Sequence, residues 1–278
     1  MDKNNSPLQV NQSTLQDFID CPRRFQLKVI DNTAWPAAYS APIYKFEKAT
    51  LLGNQFHQIC QQFFSGIDPQ IIQEGITDPE LVRMWSNFLP YGQVLLNKNY
   101  FTEIILSISL STYKLIGKFD FLFKDSDNSY TIIDWKTSPK KPSRSVLEQR
   151  VQSYLYPYLF TEAGSNLFQT DKILPDAVTM HYWYPLCSDP DEILPYSSSD
   201  HQKICLKLTN ILNRIDSYIE NNAEFPCTDN QHNCDNCVFR SLCQRGEKAS
   251  SLSPILDISQ EDLSGTHFDL DIINEIDY

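Results

Sequence analysis

Ile132-Ile133-Asp134-Trp135-Lys136 is the stretch on which the reading of this chain turns. Tyr130 to Trp135 has the β-branched and aromatic residues of a buried strand. Side chains alternate along a strand, so Asp134 and Lys136 project from one face and Ile133 and Trp135 from the other. A carboxylate flanked by two isoleucines and a tryptophan is costly to bury unless its charge is compensated. Upstream, Leu115 to Phe123 is a second apolar-rich run holding one acid, Asp120, and the polar turn Asp125 to Ser129 joins the two runs as a hairpin. Downstream, a basic loop from Lys136 to Arg144 leads into a helix that carries Gln152 and Tyr156 one turn apart on one face. An isolated acid-x-Lys triplet reads as an ion pair at a strand end. Two carboxylates embedded in neighbouring strands can instead hold a divalent cation through hard oxygen ligands. The adjacent lysine can then orient a water or stabilise charge developing on a phosphate.

The flanking segments supply more candidates. Ser13 suits the N-cap of a short helix over 14–19, and Pro22 suits the first turn of a second helix reaching about Ile30. A helix over Lys48 to Phe64 places Gly53 and His57 on the face that also carries Cys60 and Phe64. A histidine on an apolar face is most simply a satisfied core residue, while the missing side chain at Gly53 lets another backbone or a ligand come close. Pro79 to Lys98 reads as a helix, and Phe101 to Ser111 as a strand opened by Glu103. Arg144 to Glu162 reads as one helix that Pro157 should kink or restart. A strand over 177–184 and an amphipathic helix over 199–221 follow. Near the carboxyl end stands Cys227, then Cys234-x2-Cys237-x5-Cys243, a spacing that signals a metal site. Soft thiolates suit zinc or an iron–sulfur cluster. If Cys227 is the fourth ligand, the segment closes on itself as a zinc site; if Cys21 is, the two ends of the chain are clasped around a cluster.

Asp120, then Asp134-Trp135-Lys136, then Gln152-x-x-x-Tyr156 resemble the core of the PD-(D/E)XK nuclease superfamily, and the last element resembles its RecB-like branch. Gly53-x-x-x-His57 is similar to the helix that precedes this core in RecB-like nucleases. Cys21-Pro22-Arg23-Arg24-Phe25 together with Cys234, Cys237 and Cys243 resembles the one-plus-three cysteine pattern of their iron–sulfur members, among them the CRISPR-associated RecB-like exonucleases. The resemblance runs from about Ser13 to Gln244 and departs at Trp135, a bulky aromatic where the family more often has an aliphatic or small residue. It implies an α/β fold with a restriction-endonuclease-like core, a central mixed sheet flanked by helices, and a cysteine-ligated cluster clasping the amino- and carboxyl-terminal parts. It also implies Mg2+ or Mn2+ held by His57, Asp120, Asp134 and the backbone carbonyl of Trp135. Lys136, Gln152 and Tyr156 complete the catalytic set, with an acid near Glu103 helping to organise the metal. Cys21, Cys234, Cys237 and Cys243 hold a [4Fe-4S] cluster, zinc being the alternative, and Cys227 is left as a spare.

Composition bounds these expectations. Hydrophobic residues at 41% and aromatic residues at 12% are globular values, and no apolar run approaches the length of a membrane span. No signal peptide opens the chain, so a cytoplasmic protein with free or metal-bound thiols is expected. The formal charge of -12 runs against a nucleic-acid partner, but it is unevenly placed. Seven acids and no Lys or Arg lie in 255–278; the remaining 28 acids against 23 bases leave -5. Between Lys136 and Arg150 five basic residues face the single acid Glu148, and local field governs docking of a phosphate backbone. The expected organisation is a disordered 1–12, a nuclease domain over 13–246 that includes the cysteine segment 227–246, and an acidic tail over 247–278. The implied substrate is DNA with a single-stranded or free end, and the implied partner a helicase, repair or CRISPR adaptation complex. The competing reading from another class is a non-catalytic DNA-end-binding module stapled by its cysteine site. A third is a zinc-ribbon interaction protein.

Overall fold

The computed structural model describes residues 7–33, 41–125, 127–235 and 237–245, with the backbone alone over 41–47. In chain order come β1 (Leu8–Val10), α1 (Gln12–Asp20), α2 (Pro22–Phe25) with a π-helical turn at Gln26–Ile30, α3 (Ala41–Phe64), α4 (Pro69–Gly75) and α5 (Pro79–Leu95). Then follow β2 (Asn99–Leu110), β3 (Tyr113–Lys124), β4 (Tyr130–Trp135), α6 (Arg144–Gln149), α7 (Val151–Ala163), β5 (Val178–Trp183), β6 (Asp191–Pro195), α8 (Ser198–Glu220) and α9 (His232–Asp235). The expected hairpin is β3–β4, and the expected mixed sheet with flanking helices is present.

The sheet is built around β3. One edge of this strand pairs along its length with antiparallel β2. The other edge is shared: Tyr113 to Leu115 pair with parallel β1, and Phe121 to Lys124 with antiparallel β4. The sheet continues through β5, parallel to β4, and β6, antiparallel to β5. Asp120 therefore falls between two partners on one edge. A parallel β4–β5 pair requires a crossover, and α6–α7 supply it.

Apolar residues alternate between two cores. One lies beneath α1, α7 and α8 and takes Phe119, Leu122, Ile132 and Tyr156; the other lies beneath α3 and α5 and takes Phe56, Phe88, Phe121, Ile133 and Trp135. Strict alternation would put Phe119 and Phe121 on one side, yet they enter different cores. In β2, Phe101 and Ile104 both pack toward the α7 core. Both strands thus skip one step of the alternation at the same level, between Thr102↔Phe121 and Ile104↔Phe119, and the register is unchanged across it. The two residues at the skip are Glu103 and Asp120. Glu103 has φ 53°, a left-handed conformation that bulky residues rarely adopt.

Several sequence expectations are corrected. Disorder over 1–12 does not hold for 7–12, because Leu8–Val10 gain strand pairing from β3 and Gln12 begins α1; residues 1–6 and 246–278 lie outside the described residues. The cap of α1 is Asn11 rather than Ser13: its side chain accepts from the Thr14 N–H while the Thr14 hydroxyl accepts from the Asn11 N–H, a reciprocal capping box. The helix over 144–162 breaks at Arg150 (φ -68°, ψ 142°), not at Pro157, which sits inside α7. Residues Val151 to Thr161 are buried on every face, and that packing outweighs the hydrogen bond the proline forgoes. The edge strand β6, bounded by Pro190 and Pro195, and helix α4 were not legible from periodicity.

Candidate active site

Helix α3 delivers His57 to the skip in the sheet. Its close approach depends on Gly53, where a Cβ would come within 3.1 Å of Thr137 Oγ1 in the loop after β4. His57 Nδ1 lies 3.2 Å from Asp120 Oδ1, and the Trp135 N–H donates to Asp120 Oδ2 at 2.9 Å. That amide anchors Asp120 where β3 has no strand partner. His57, Glu103 and Asp120 each offer one ligand atom, and these atoms lie within 4.8 Å of one another. An imidazole and two carboxylates at that spacing can hold a divalent cation. Glu103, reached only through its left-handed backbone, is the residue that joins this group where the sequence had favoured Asp134. Lys118 Nζ pairs with Glu103 at 2.6 Å.

Asp134 forms the second half of the site. Side chains of Asp134 and Lys136 do share a face, and their ion pair is 2.8 Å long. Gln152 bridges them: its Nε2 donates to Asp134 Oδ1 at 2.5 Å, and its Oε1 accepts from Lys136 Nζ at 2.9 Å. All three side chains are buried. Asp134 Oδ2 faces the Lys136 ammonium, whose charge and hydrogen bond favour the ionised carboxylate. Trp135 points the other way, into the core of Phe88 and Trp183, so its bulk stays clear of the site. Tyr156 is buried against Phe119 with ring centroids 4.6 Å apart.

The charges are poised against one another. Burial pushes the Asp134 carboxyl up to about 6, with Lys136 pulling it down and Asp120 adding to the rise. Burial also opposes ionisation of Asp120, but the His57 charge and hydrogen bond and the Trp135 N–H together hold it below the usual carboxylate range. Burial disfavours the His57 imidazolium, yet Asp120, with Asp134 and Glu103 behind it, outweighs this and raises the histidine. Burial and the Asp120 charge raise Glu103.

The basic loop is less positive than its sequence suggested. Lys141 pairs with Asp189 and Glu192, and Arg144 with Glu148 and Glu192. Asp189 and Glu192 come from the β5–β6 turn and β6, which only the fold brings near.

A second convergence joins the chain's two ends. Cys21, Cys227, Cys234, Cys237 and Cys243 line one small open cleft together with Arg24, Arg240 and Arg245. All five are free thiols. One backbone and one side-chain hydrogen bond pin the segments to each other: the Arg23 N–H donates to Pro226 O at 3.1 Å, and Asn233 Nδ2 donates to Asp20 O at 2.8 Å. Arg245 Nη1 lies 3.4 Å from Cys234 Sγ. Cys60 is buried in the α3–α5 core, while Cys187 and Cys205 are partly exposed at the edge of the other.

A family model described as PD-(D/E)XK nuclease superfamily matches residues 9–104 and 90–244. Among solved structures, a protein of Eubacterium rectale described as a "Putative exonuclease" shares 13% identity over 94% of each chain, with a TM-score of 0.50. The structure of SSO0001 shares 13% identity over 87% of each chain, with a TM-score of 0.42. At that identity the former is a likeness of fold. No curated protein matches the sequence.

Proposed function

The chain belongs to the PD-(D/E)XK nuclease superfamily, and from that premise we propose that it is a Mg2+- or Mn2+-dependent deoxyribonuclease of the RecB-like branch, degrading DNA from single-stranded ends. The observation that carries this is the pairing of a His57–Glu103–Asp120 donor group with a buried Asp134–Lys136–Gln152 triangle. The donor set fits a hard cation: three residues offer ligand atoms within reach of one ion, and the buried Asp134 carboxylate lies close enough to Asp120 to feel its charge. His57, Asp120 and Asp134 would hold it, with Glu103 and the Trp135 carbonyl completing the shell. A divalent cation there supplies Lewis acidity toward a phosphate oxygen and lowers the pKa of a bound water.

The chain's own groups do the rest. Lys136 keeps a positive charge at a fixed point beside the carboxylates, where negative charge develops on the phosphate in the transition state. Gln152 holds Asp134 with its amide and Lys136 with its carbonyl, so neither can swing away. Tyr156 buttresses α7 against β3 through Phe119. Single-stranded DNA can present one phosphate at a time to a site whose neighbouring basic residues are largely paired.

The cysteine segment supports reading the site as a [4Fe-4S] cluster, since convergent thiolates with Arg24, Arg240 and Arg245 beside them suit an anionic group; a four-cysteine zinc site is the alternative. Cys21, Cys234, Cys237 and Cys243 would hold it, tying the two ends of the chain together. The resemblance supports a place beside a helicase, repair or CRISPR adaptation complex.

End-labelled single-stranded DNA incubated with Mn2+, and in parallel with EDTA, tests the reading. Cleavage should depend on the metal. Asp134→Ala and Lys136→Ala should each lower it by about a hundredfold or more while the protein stays folded. Full activity in Asp134→Ala would end the nuclease reading.

A further inference from the structure

Beyond the skip at Glu103 and Asp120, the β2–β3 hairpin has one covered face and one polar face. Leu106, Ile108, Leu115 and Phe119 pack into the core beneath α7. Alternation turns Ile105, Ser107 and Ser109 of β2, with Lys114, Ile116 and Lys118 of β3, to the opposite side. Cross-strand pairing sets Ile105 against Lys118, Ser107 against Ile116 and Ser109 against Lys114, and Gln9 of β1 flanks Lys114 on its other edge. On that side the α3–α5 core takes Tyr100, Phe121 and Phe123, all before Glu103 or after Asp120. Among the described residues it takes nothing from Ile104 to Phe119. Of the side chains on the polar face only Ile116 is buried; Ser109 is exposed, and the Lys118 side chain is 31% exposed.

Charge sets this face apart. The chain carries -12, yet from Ile104 to Phe119 it has two lysines, both on this face, and no acid. Lys118 Nζ reaches Glu103 at 2.6 Å, so the face begins at the His57–Glu103–Asp120 group itself. Lys114 lies four residues back along the strand, about 13 Å away. Ser107 falls between the two lysines and Ser109 beside the farther one. An ammonium has three protons to donate, so Lys118 can hold Glu103 and a phosphate oxygen together. A single row of cations and hydroxyls matches one phosphate backbone rather than the two of a duplex. Resting on the nuclease reading above, we propose that this face is the track along which the single-stranded substrate runs from the metal group. Its phosphates bind Lys118 and then Lys114, and the Ser107 and Ser109 hydroxyls donate to phosphate oxygens along the way.

The test is fluorescence anisotropy of end-labelled single-stranded DNA with the full chain, in Ca2+ and over a salt series. It compares the parent with Lys114→Ala, Ser109→Lys and Lys203→Ala, the last at a residue of α8 whose side chain is 73% exposed. Lys114→Ala should bind about three- to tenfold more weakly at low salt, and its slope of log affinity against log salt should be shallower by about 0.7, the loss of one phosphate contact. Ser109→Lys adds a cation beside Lys114 and should shift both quantities the other way by similar amounts. Lys203→Ala makes the same change in net charge as Lys114→Ala and should match the parent. Lys114→Ala and Ser109→Lys with the parent's affinity and slope would overturn the proposal. So would an equal defect in Lys203→Ala, since net charge rather than this face would then govern binding. Cleavage by the parent in Mn2+, run alongside, keeps the two readings apart. Without metal-dependent cleavage the nuclease reading falls and the track with it, whereas cleavage combined with binding indifferent to residues 109 and 114 removes the track alone.

Discussion

Protons and a metal ion compete for the same atoms at this site. Burial pushes Asp134 up to about 6, Glu103 is raised by burial and the Asp120 charge, and His57 is raised by Asp120 against its own burial. A cation needs the neutral imidazole and the ionised carboxylates, so binding should expel protons. Apparent affinity for Mn2+ should climb as pH rises through about 6 and through the raised pKa of His57, then level off. The same shifts set the metal-free stability. Asp134, with a folded pKa above its ordinary 3.8, loses stability as pH rises from that value to about 6. The His57–Asp120 pair stabilises below the ordinary 6.5 of histidine, and this is lost as pH rises through the folded value. Calorimetric titration of Mn2+ in two buffers of different ionisation enthalpy reads the proton release; an affinity flat across pH 5.5 to 8 would contradict it. Asp120, Asp134 and Lys136 were legible in the sequence because an acid within an apolar strand is a local anomaly. Glu103 was only half legible. Its place in the donor group depends on a left-handed φ and on the strand opposite, neither of which leaves a mark in the residues around it.

Strand β3 and helix α7 meet where no side chain stands between them. Gly117 faces α7, and a Cβ there would lie 2.8 Å from Leu159 Cδ1 and 3.3 Å from rings of Phe119 and Tyr156. Gly117→Ala should therefore cost about 1–3 kcal/mol by overpacking, visible as a lower denaturant midpoint. Because α7 also carries Gln152, cleavage should fall as well, although no ligand is touched. An unchanged midpoint would mean that α7 moves freely, and the tight Gln152 bridge would then need another explanation. Long helices and the strands of the hairpin were readable from apolar period and turn residues. The break at Arg150, the three-residue β1 and the proline-flanked β6 were not, since each exists through pairing or packing with distant residues rather than through its own pattern.

Across the whole molecule, charge and function pull in opposite directions. The chain carries -12, and the loop that looked like a basic landing strip has Lys141 and Arg144 paired with acids of the β5–β6 region. The uncompensated negative charge is concentrated in 255–278, with seven acids and no Lys or Arg. Its effect on a phosphate backbone is repulsion at long range, which acts on the rate of encounter more than on the chemistry. A chain ending at residue 254 would carry -5, and it should associate with single-stranded DNA faster at low ionic strength, by up to on the order of tenfold. The gain should shrink as salt shortens the Debye length to about 8 Å at physiological strength and about 3 Å at 1 M. Stopped-flow association rates in Ca2+, for the full and the shortened chain over a salt series, measure it. Cleavage at saturating DNA should be the same for both. Equal association rates at the lowest salt would show that the acids of 255–278 are already neutralised by cations elsewhere on the protein, and a fall in saturated cleavage would show that they act at the site itself.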